Sequence, residues 1–125
     1  MLMEARVNLD LTVDAFVSLA GEDALTDGRV LCRTAAETVE AWLDPKKEAQ
    51  ITSTSVSYAA ATIAFYRYTL KTSGNAQSIK AGDITVNDNS EKSVEYAKNL
   101  MHDALHSIEH LLLPRQFAFI KTEVL

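Results

Sequence analysis

The stretch from Val56 to Leu70, VSYAAATIAFYRYTL, is the feature that most constrains the fold of this chain. Its apolar residues cover nearly the whole circumference of a helix, which is typical of a helix buried on several sides. Three consecutive alanines, Ala59 to Ala61, would let neighbouring helices approach closely. The pattern predicts a helix enclosed by others, and Ser73-Gly74-Asn75 is predicted to end it.

Three further segments have the apolar periodicity of helices. Asp10 or Thr12 can cap the first of them, and Gly21 can end it. The second ends before Pro45, since the residue before a proline avoids helical geometry, and Pro114 stops the last. The three helices are predicted over residues 11–20, about 26–43 and about 90–113.

The segment between the last two helices breaks the helical pattern. Ile84 and Val86 are β-branched and alternate with polar neighbours, and turn residues lie on both sides. Asp88 and Glu91 have the spacing of a capping box for the last helix. We expect a short β-like arm over about 76–89 and an extended C-terminal tail over about 114–125.

The predicted fold class is therefore all-α: a compact bundle of about four helices, in one domain over residues 1–125. The arm and the tail are more apolar than solvated loops usually are, and such segments often mark association sites. We expect the chain to be an assembly subunit. Its candidate interface residues are Ile79, Lys80, Gly82, Asp83, Ile84 and Val86 in the arm, and Phe117, Phe119 and Ile120 in the tail.

All three histidines lie at a spacing of four in the last predicted helix, at His102, His106 and His110. Histidines spaced in this way can share a metal ion. At about 100° per residue, however, they lie opposite an apolar face. That face comprises Ala97, Met101, Ala104, Ile108 and Leu111. The histidines are predicted to face water or a neighbouring subunit, with no cofactor; a metal site is the alternative.

Other patterns give no indication of catalysis. The one cysteine, Cys32, lies in the middle of a predicted helix, and the histidines it would need as partners lie on the outer face of another. The chain has no nucleophile-elbow, phosphate-loop or EF-hand pattern. Trp42 and the aromatic residues Tyr58, Phe65, Tyr66 and Tyr68 are predicted to pack in the core. We expect a protein that is not an enzyme.

Composition limits the partners. The chain has 125 residues, with 12 Lys and Arg against 17 Asp and Glu and a formal charge of −5. No cluster of basic residues offers the aligned cations that tight nucleic-acid binding needs. No segment has the pattern of a secretory signal or a membrane span, so no membrane partner is expected.

The order of elements resembles the head-to-tail connector (head-completion, or adaptor) proteins of tailed bacteriophages and prophages. These have an Ala- and aromatic-rich central helix, similar here to residues 56–70, and a long final helix. Between them lies a loop of the form S-x-K-x-G-D-x-S/T-V, which is similar to Ser78–Val86, SIKAGDITV. The likeness covers the chain from about Thr26 to Leu113.

The resemblance implies a structural subunit without catalytic activity or cofactor. It implies a ring of about twelve copies, docked below the portal protein, that extends the DNA channel and joins the head to a stopper or tail-completion protein. DNA would pass without sequence-specific binding, and an acidic subunit suits such sliding. The implied location is the head–tail junction of the virion, after synthesis in the bacterial host cytoplasm. The residues also leave open a small helical protein-interaction or regulatory module, and a metal-binding helical bundle that uses the histidines.

Overall fold

The computed structural model describes residues 6–79 and 84–113, with the side chains of 6–73 and 92–113. Four α-helices form this part of the chain: α1 (Leu9–Ala20), α2 (Leu25–Trp42), α3 (Ser53–Ile79) and α4 (Ile84–Ser107). Short 3-10 helices cover Glu22–Ala24, Pro45–Gln50 and Glu109–Leu111. The prediction of an all-α fold with four helices is confirmed.

The ends of α1 follow from local chemistry. Asn8, rather than the predicted Asp10 or Thr12, caps the helix, because its side chain accepts a hydrogen bond of 3.0 Å from the Leu11 amide. Gly21 ends it as predicted. Its φ of 95° lies in the region that glycine tolerates best, and its N–H donates to the Val17 carbonyl at 2.8 Å.

The connection from α2 to α3 contains the predicted stop signal. Leu43 leaves the helix with an extended backbone, and Asp44 accepts a hydrogen bond of 3.0 Å from the Lys46 amide across Pro45. The α2 helix therefore ends where the proline predicts, and a 3-10 helix carries the chain to the start of α3.

The predicted β-like arm is wrong wherever the structure describes it. Residues 76–79 belong to α3 and residues 84–89 to α4, while 80–83 and the predicted tail, 114–125, lie outside the described residues. α3 continues through Ser73-Gly74-Asn75, and the predicted capping pair Asp88 and Glu91 lies inside α4. Propensities of about 1 kcal/mol or less per residue are outweighed here by the pairing of α3 with α4.

The core forms around α3, which contacts each of the other three helices. Ala59, Ala60, Ala61 and Ala64 are fully buried, so the predicted close approach is confirmed. The α1 helix packs on α2 through Phe16, whose ring lies against the backbone of Gly28 and makes an edge contact with Tyr68 at 5.7 Å.

The C-terminal half of α4 closes the bundle. The apolar face predicted for the last helix is confirmed, because Ala97, Met101 and Ala104 in α4 are buried, and so are Ile108 and Leu111 just after it. After the helix, Leu112 forms an antiparallel bridge with Leu43. The Leu113 amide donates to the Trp42 carbonyl and the Asp44 amide to the Leu111 carbonyl, both at 2.9 Å. This end of α4 is therefore tied to the end of α2.

Candidate functional site

Three predicted interface residues lie within the described backbone. Ile79 is the last residue of α3, Ile84 is the first of α4, and Val86 lies in the first turn of α4. These residues flank the connection between the two longest described helices. The other six lie outside the described residues: Lys80, Gly82, Asp83, Phe117, Phe119 and Ile120.

The α3–α4 pair extends past the start of α2. The Lys71 ammonium lies 3.9 Å from the Asp27 carboxylate, which places the first turn of α2 beside Lys71. From Lys71, α3 continues to Ile79, a rise of about 12 Å. We call residues 72–79 and 84–91 the distal helix pair. A helical extension thus occupies the position at which the sequence predicted a β-like arm.

Large apolar side chains are exposed at the base of the distal helix pair. Leu70 is 43% exposed and Tyr96 is 59% exposed, although the Tyr96 ring also makes an edge contact with Phe65 at 6.4 Å. At the other end of the bundle, Leu9, Leu11 and Tyr58 are also exposed. The exposure of Tyr96 and of the three leucines was not predictable from sequence, because each position also fits the buried face of an amphipathic helix.

The histidines do not form one continuous stripe. His102 and His106 lie in α4, whereas His110 lies in the 3-10 helix that follows Ser107. His106 and His110 are exposed and His102 is half-buried, opposite the buried apolar face of α4 as predicted. The rings of His102 and His106 are stacked, with centroids 6.2 Å apart and an interplanar angle of 22°.

Glu109 lies next to this stacked pair. Its Oε2 is 3.0 Å from Nδ1 of His106. That oxygen is shielded from solvent and receives no well-aligned hydrogen bond from any described residue. Over the described side chains, no group of three or more His, Cys, Asp or Glu residues is arranged to hold a metal ion.

Cys32 is unsuited to nucleophilic chemistry. Its side chain is fully buried in the core. Burial raises the pKa of the thiol to about 11. Because the thiolate is the reactive form, the residue is a small core side chain at neutral pH.

A polar cluster at the N-terminal segment was not predicted. The Glu40 carboxylate accepts hydrogen bonds from the Arg6 amide at 2.8 Å, the Val7 amide at 2.9 Å and the Arg6 guanidinium at 2.7 Å. Ser53 donates to the Arg6 carbonyl, and the Asn8 amide donates to Ser57, each at 2.8 Å. The segment before α1 is therefore fastened across α2 and α3.

Two opposing effects act on the pKa of Glu40. Partial burial raises the pKa. The hydrogen bonds from the Val7 amide and the Arg6 side chain, together with the Arg6 charge, lower the pKa by more than burial raises it. The net result is a pKa below the ordinary value of 4.5. Glu40 is thus held in its charged form as the acceptor of this cluster.

An open groove of about 410 Å³ lies beside the cluster. Its walls are mainly apolar, although three of the lining residues are charged. The lining residues are Val7, Leu9, Arg33, Ala36, Glu37, Glu40 and Ala41.

The predicted core aromatics are confirmed in part. Trp42, Phe65, Tyr66 and Tyr68 are partly buried and pack against the core. Tyr58 is different, because it is 38% exposed at the first turns of α3.

No protein-family model, curated protein or solved structure matches this chain. The described helices include none with the length and hydropathy that a membrane span requires. The connector resemblance therefore rests on the sequence segments 56–70 and 78–86 themselves.

Proposed function

We propose that this chain is a structural subunit of a phage or prophage head–tail connector, which forms a ring below the portal, extends the DNA channel and joins head to tail. One observation carries the proposal. The segment similar to the connector loop, Ser78–Val86, spans the junction of α3 and α4 at the end of the distal helix pair. An element that extends past the rest of the bundle is well placed to reach a neighbouring subunit.

A ring requires two different contact patches, since each subunit must present one surface to the subunit before it and another to the subunit after it. The distal helix pair carries the first, with Ile79, Ile84 and Val86. The exposed residues Leu9, Leu11 and Tyr58 offer a second at the opposite end. Tyr58 and Ile79 are separated by about 32 Å along α3. The two patches are therefore distinct surfaces, as the contact between successive subunits of a ring requires.

The charge of the chain is compatible with a DNA channel. With 17 acidic against 12 basic residues, the subunit repels a phosphate backbone on average. A channel lined by such subunits would let DNA slide through, because it offers few of the Lys and Arg contacts to phosphate that release counterions and bind DNA tightly. The proposal involves no catalysis and no cofactor; the partners are further copies of the chain, the portal, a stopper or tail-completion protein and the DNA in transit.

Light scattering coupled to size-exclusion chromatography tests the ring. The untagged chain is run alone at rising concentration and then with portal rings from the same genome. We expect a complex with about twelve copies per portal ring, visible as an added layer by electron microscopy. A chain that stays monomeric in both conditions would contradict the proposal.

A pair of matched variants tests the contact element. Ile84→Asp with Val86→Asp should abolish ring formation while α4 still forms, because acidic residues are favourable in the first turn of a helix. Ser93→Asp with Asn99→Asp adds the same charge to the same helix at exposed positions outside the distal helix pair, and this variant should still assemble. Equal loss in both pairs would show that charge alone, and not the Ile84–Val86 contact, controls assembly.

A further inference from the structure

We propose that His102 and His106 form a two-histidine site for a divalent transition-metal ion such as Zn²⁺ or Ni²⁺, with Glu109 orienting His106. The inference does not depend on the connector function. It differs from the three-histidine alternative of the sequence, because His110 lies outside α4 and does not join the stacked pair.

The sequence spacing of the two histidines suits a shared ion, because His102 and His106 are one helical turn apart on α4. In the structure their rings are stacked, with centroids 6.2 Å apart and an interplanar angle of 22°. To share an ion, the rings turn out of this stack until one nitrogen of each converges on it, about 3.3 Å from the other for zinc–nitrogen bonds of about 2.0–2.1 Å. The His106 side chain is 68% exposed and is free to make such a turn. Imidazole is a preferred ligand of zinc, copper and nickel.

Glu109 supplies the second observation. Its Oε2 is buried 3.0 Å from His106 Nδ1 and lacks a well-aligned donor among the described residues. A small rotation of the ring would align the Nδ1–H with this oxygen and satisfy it. That hydrogen bond fixes the tautomer in which the Nε2 lone pair is free, as carboxylates commonly do for metal-binding histidines.

Two protein ligands leave the remaining coordination positions to water. The site is open to solvent, because the His106 side chain is 68% exposed. Its ion is held by the helix backbone spacing and not by an enclosing cage, so affinity depends strongly on each histidine.

Calorimetric titration tests the site with the full chain produced without a polyhistidine tag, using Ni²⁺ or Zn²⁺ alone at pH 7.5. We expect one ion per chain. His102→Gln and His106→Gln should each weaken binding at least tenfold, and Glu109→Gln by about tenfold, as for other orienting partners. His110→Gln is the matched control, since it removes an exposed histidine that is not in the pair, and it should bind as the parent chain does.

A second readout separates binding from folding. Because the ion binds only the folded pair, saturating metal should raise the unfolding temperature of the parent chain and of His110→Gln, but not that of His106→Gln. The proposal is overturned if binding does not saturate below about 1 mM, if His106→Gln retains the parent affinity, or if His110→Gln loses as much affinity as His106→Gln. His106 is solvent-facing, so its variant folds and decides the question by itself.

Discussion

Glu40 connects two parts of the chain that are more than thirty residues apart. Its carboxylate accepts two backbone amides and one guanidinium donor, and Arg6 also reaches Glu48 at 3.2 Å. The side chains of Arg6 and Glu40 are 12% and 29% exposed, so water weakens these contacts only in part. The cluster therefore adds to the stability of the fold.

Replacing Glu40 with Gln should lower the free energy of unfolding by about 1–2 kcal/mol. Hydrogen bonds to charged groups contribute about 1.5–3 kcal/mol each, and the amide keeps one acceptor oxygen but loses the charge. Denaturant unfolding at pH 7 measures the change. Glu37→Gln, an exposed position on the same helix without such donors in the described chain, is the control and should change stability little.

The same residue predicts a pH dependence. The pKa of Glu40 is lower in the folded chain than its ordinary 4.5, so the unfolded chain binds more protons in the acid range. The stabilisation is complete above the unfolded pKa and is lost as pH falls through the folded pKa. The stability difference between the parent chain and Glu40→Gln should accordingly shrink on acidification below about pH 4.5. A difference that stays constant down to pH 3 would contradict the assignment.

The sequence could not predict this cluster, although it did predict the buried face of α4. Periodicity reports which side of a helix is apolar, and all five residues that it selected in α4 and directly after it are buried. It does not report which distant segment a polar residue meets. Glu37 and Glu40 look equivalent along α2, and only the path of the segment before α1 makes them different.

At the scale of elements, the contact between α1 and α2 depends on one small residue. A methyl group added at Gly28 would lie 2.6 Å from Cζ of Phe16, far inside van der Waals contact. Phe16 is itself fully buried, so its ring has no free space into which it can move. Gly28 therefore permits the close approach of the two helices.

Gly28→Ala should destabilise the fold by about 1–3 kcal/mol, as overpacking of a filled core usually does. The sign of this change in the free energy of unfolding is informative, because replacing glycine with alanine at an exposed helical position would stabilise the fold by up to about 1 kcal/mol. Thermal unfolding followed by circular dichroism measures the change, with Arg29→Ala as the exposed control on the same helix. A stabilised Gly28→Ala protein would show that α1 is not packed against α2 in this way.

The ends of the helices show where local sequence signals are enough to predict a helix boundary. The ends of α1 and α2 are marked by Gly21 and Pro45, which act through backbone geometry that packing cannot override. The junction of α3 and α4 has only weak preferences of β-branched, glycine and asparagine residues. Pairing of two long helices outweighs these, and the predicted β-like arm is helical in the described residues.

At the scale of the whole molecule, the last described residues join the ends of two helices. The antiparallel bridge between Leu43 and Leu112 and the hydrogen bond from the Leu113 amide to Trp42 join the ends of α2 and α4. Because the sequence predicts that the tail residues serve association, we expect folding and assembly to be separable by truncation at this point.

Truncation after Leu113 tests this separation. If the tail serves association as predicted, the shortened chain should keep its unfolding temperature within a few degrees, because such a truncation would act as a surface change that costs less than about 0.5 kcal/mol. It should fail to form a ring on the portal, because it lacks Phe117, Phe119 and Ile120. Removal of residues 123–125 alone retains those three side chains and should leave assembly intact. A full truncation that still assembles would restrict the contact surface to the distal helix pair, whereas one that unfolds would place the tail within the core.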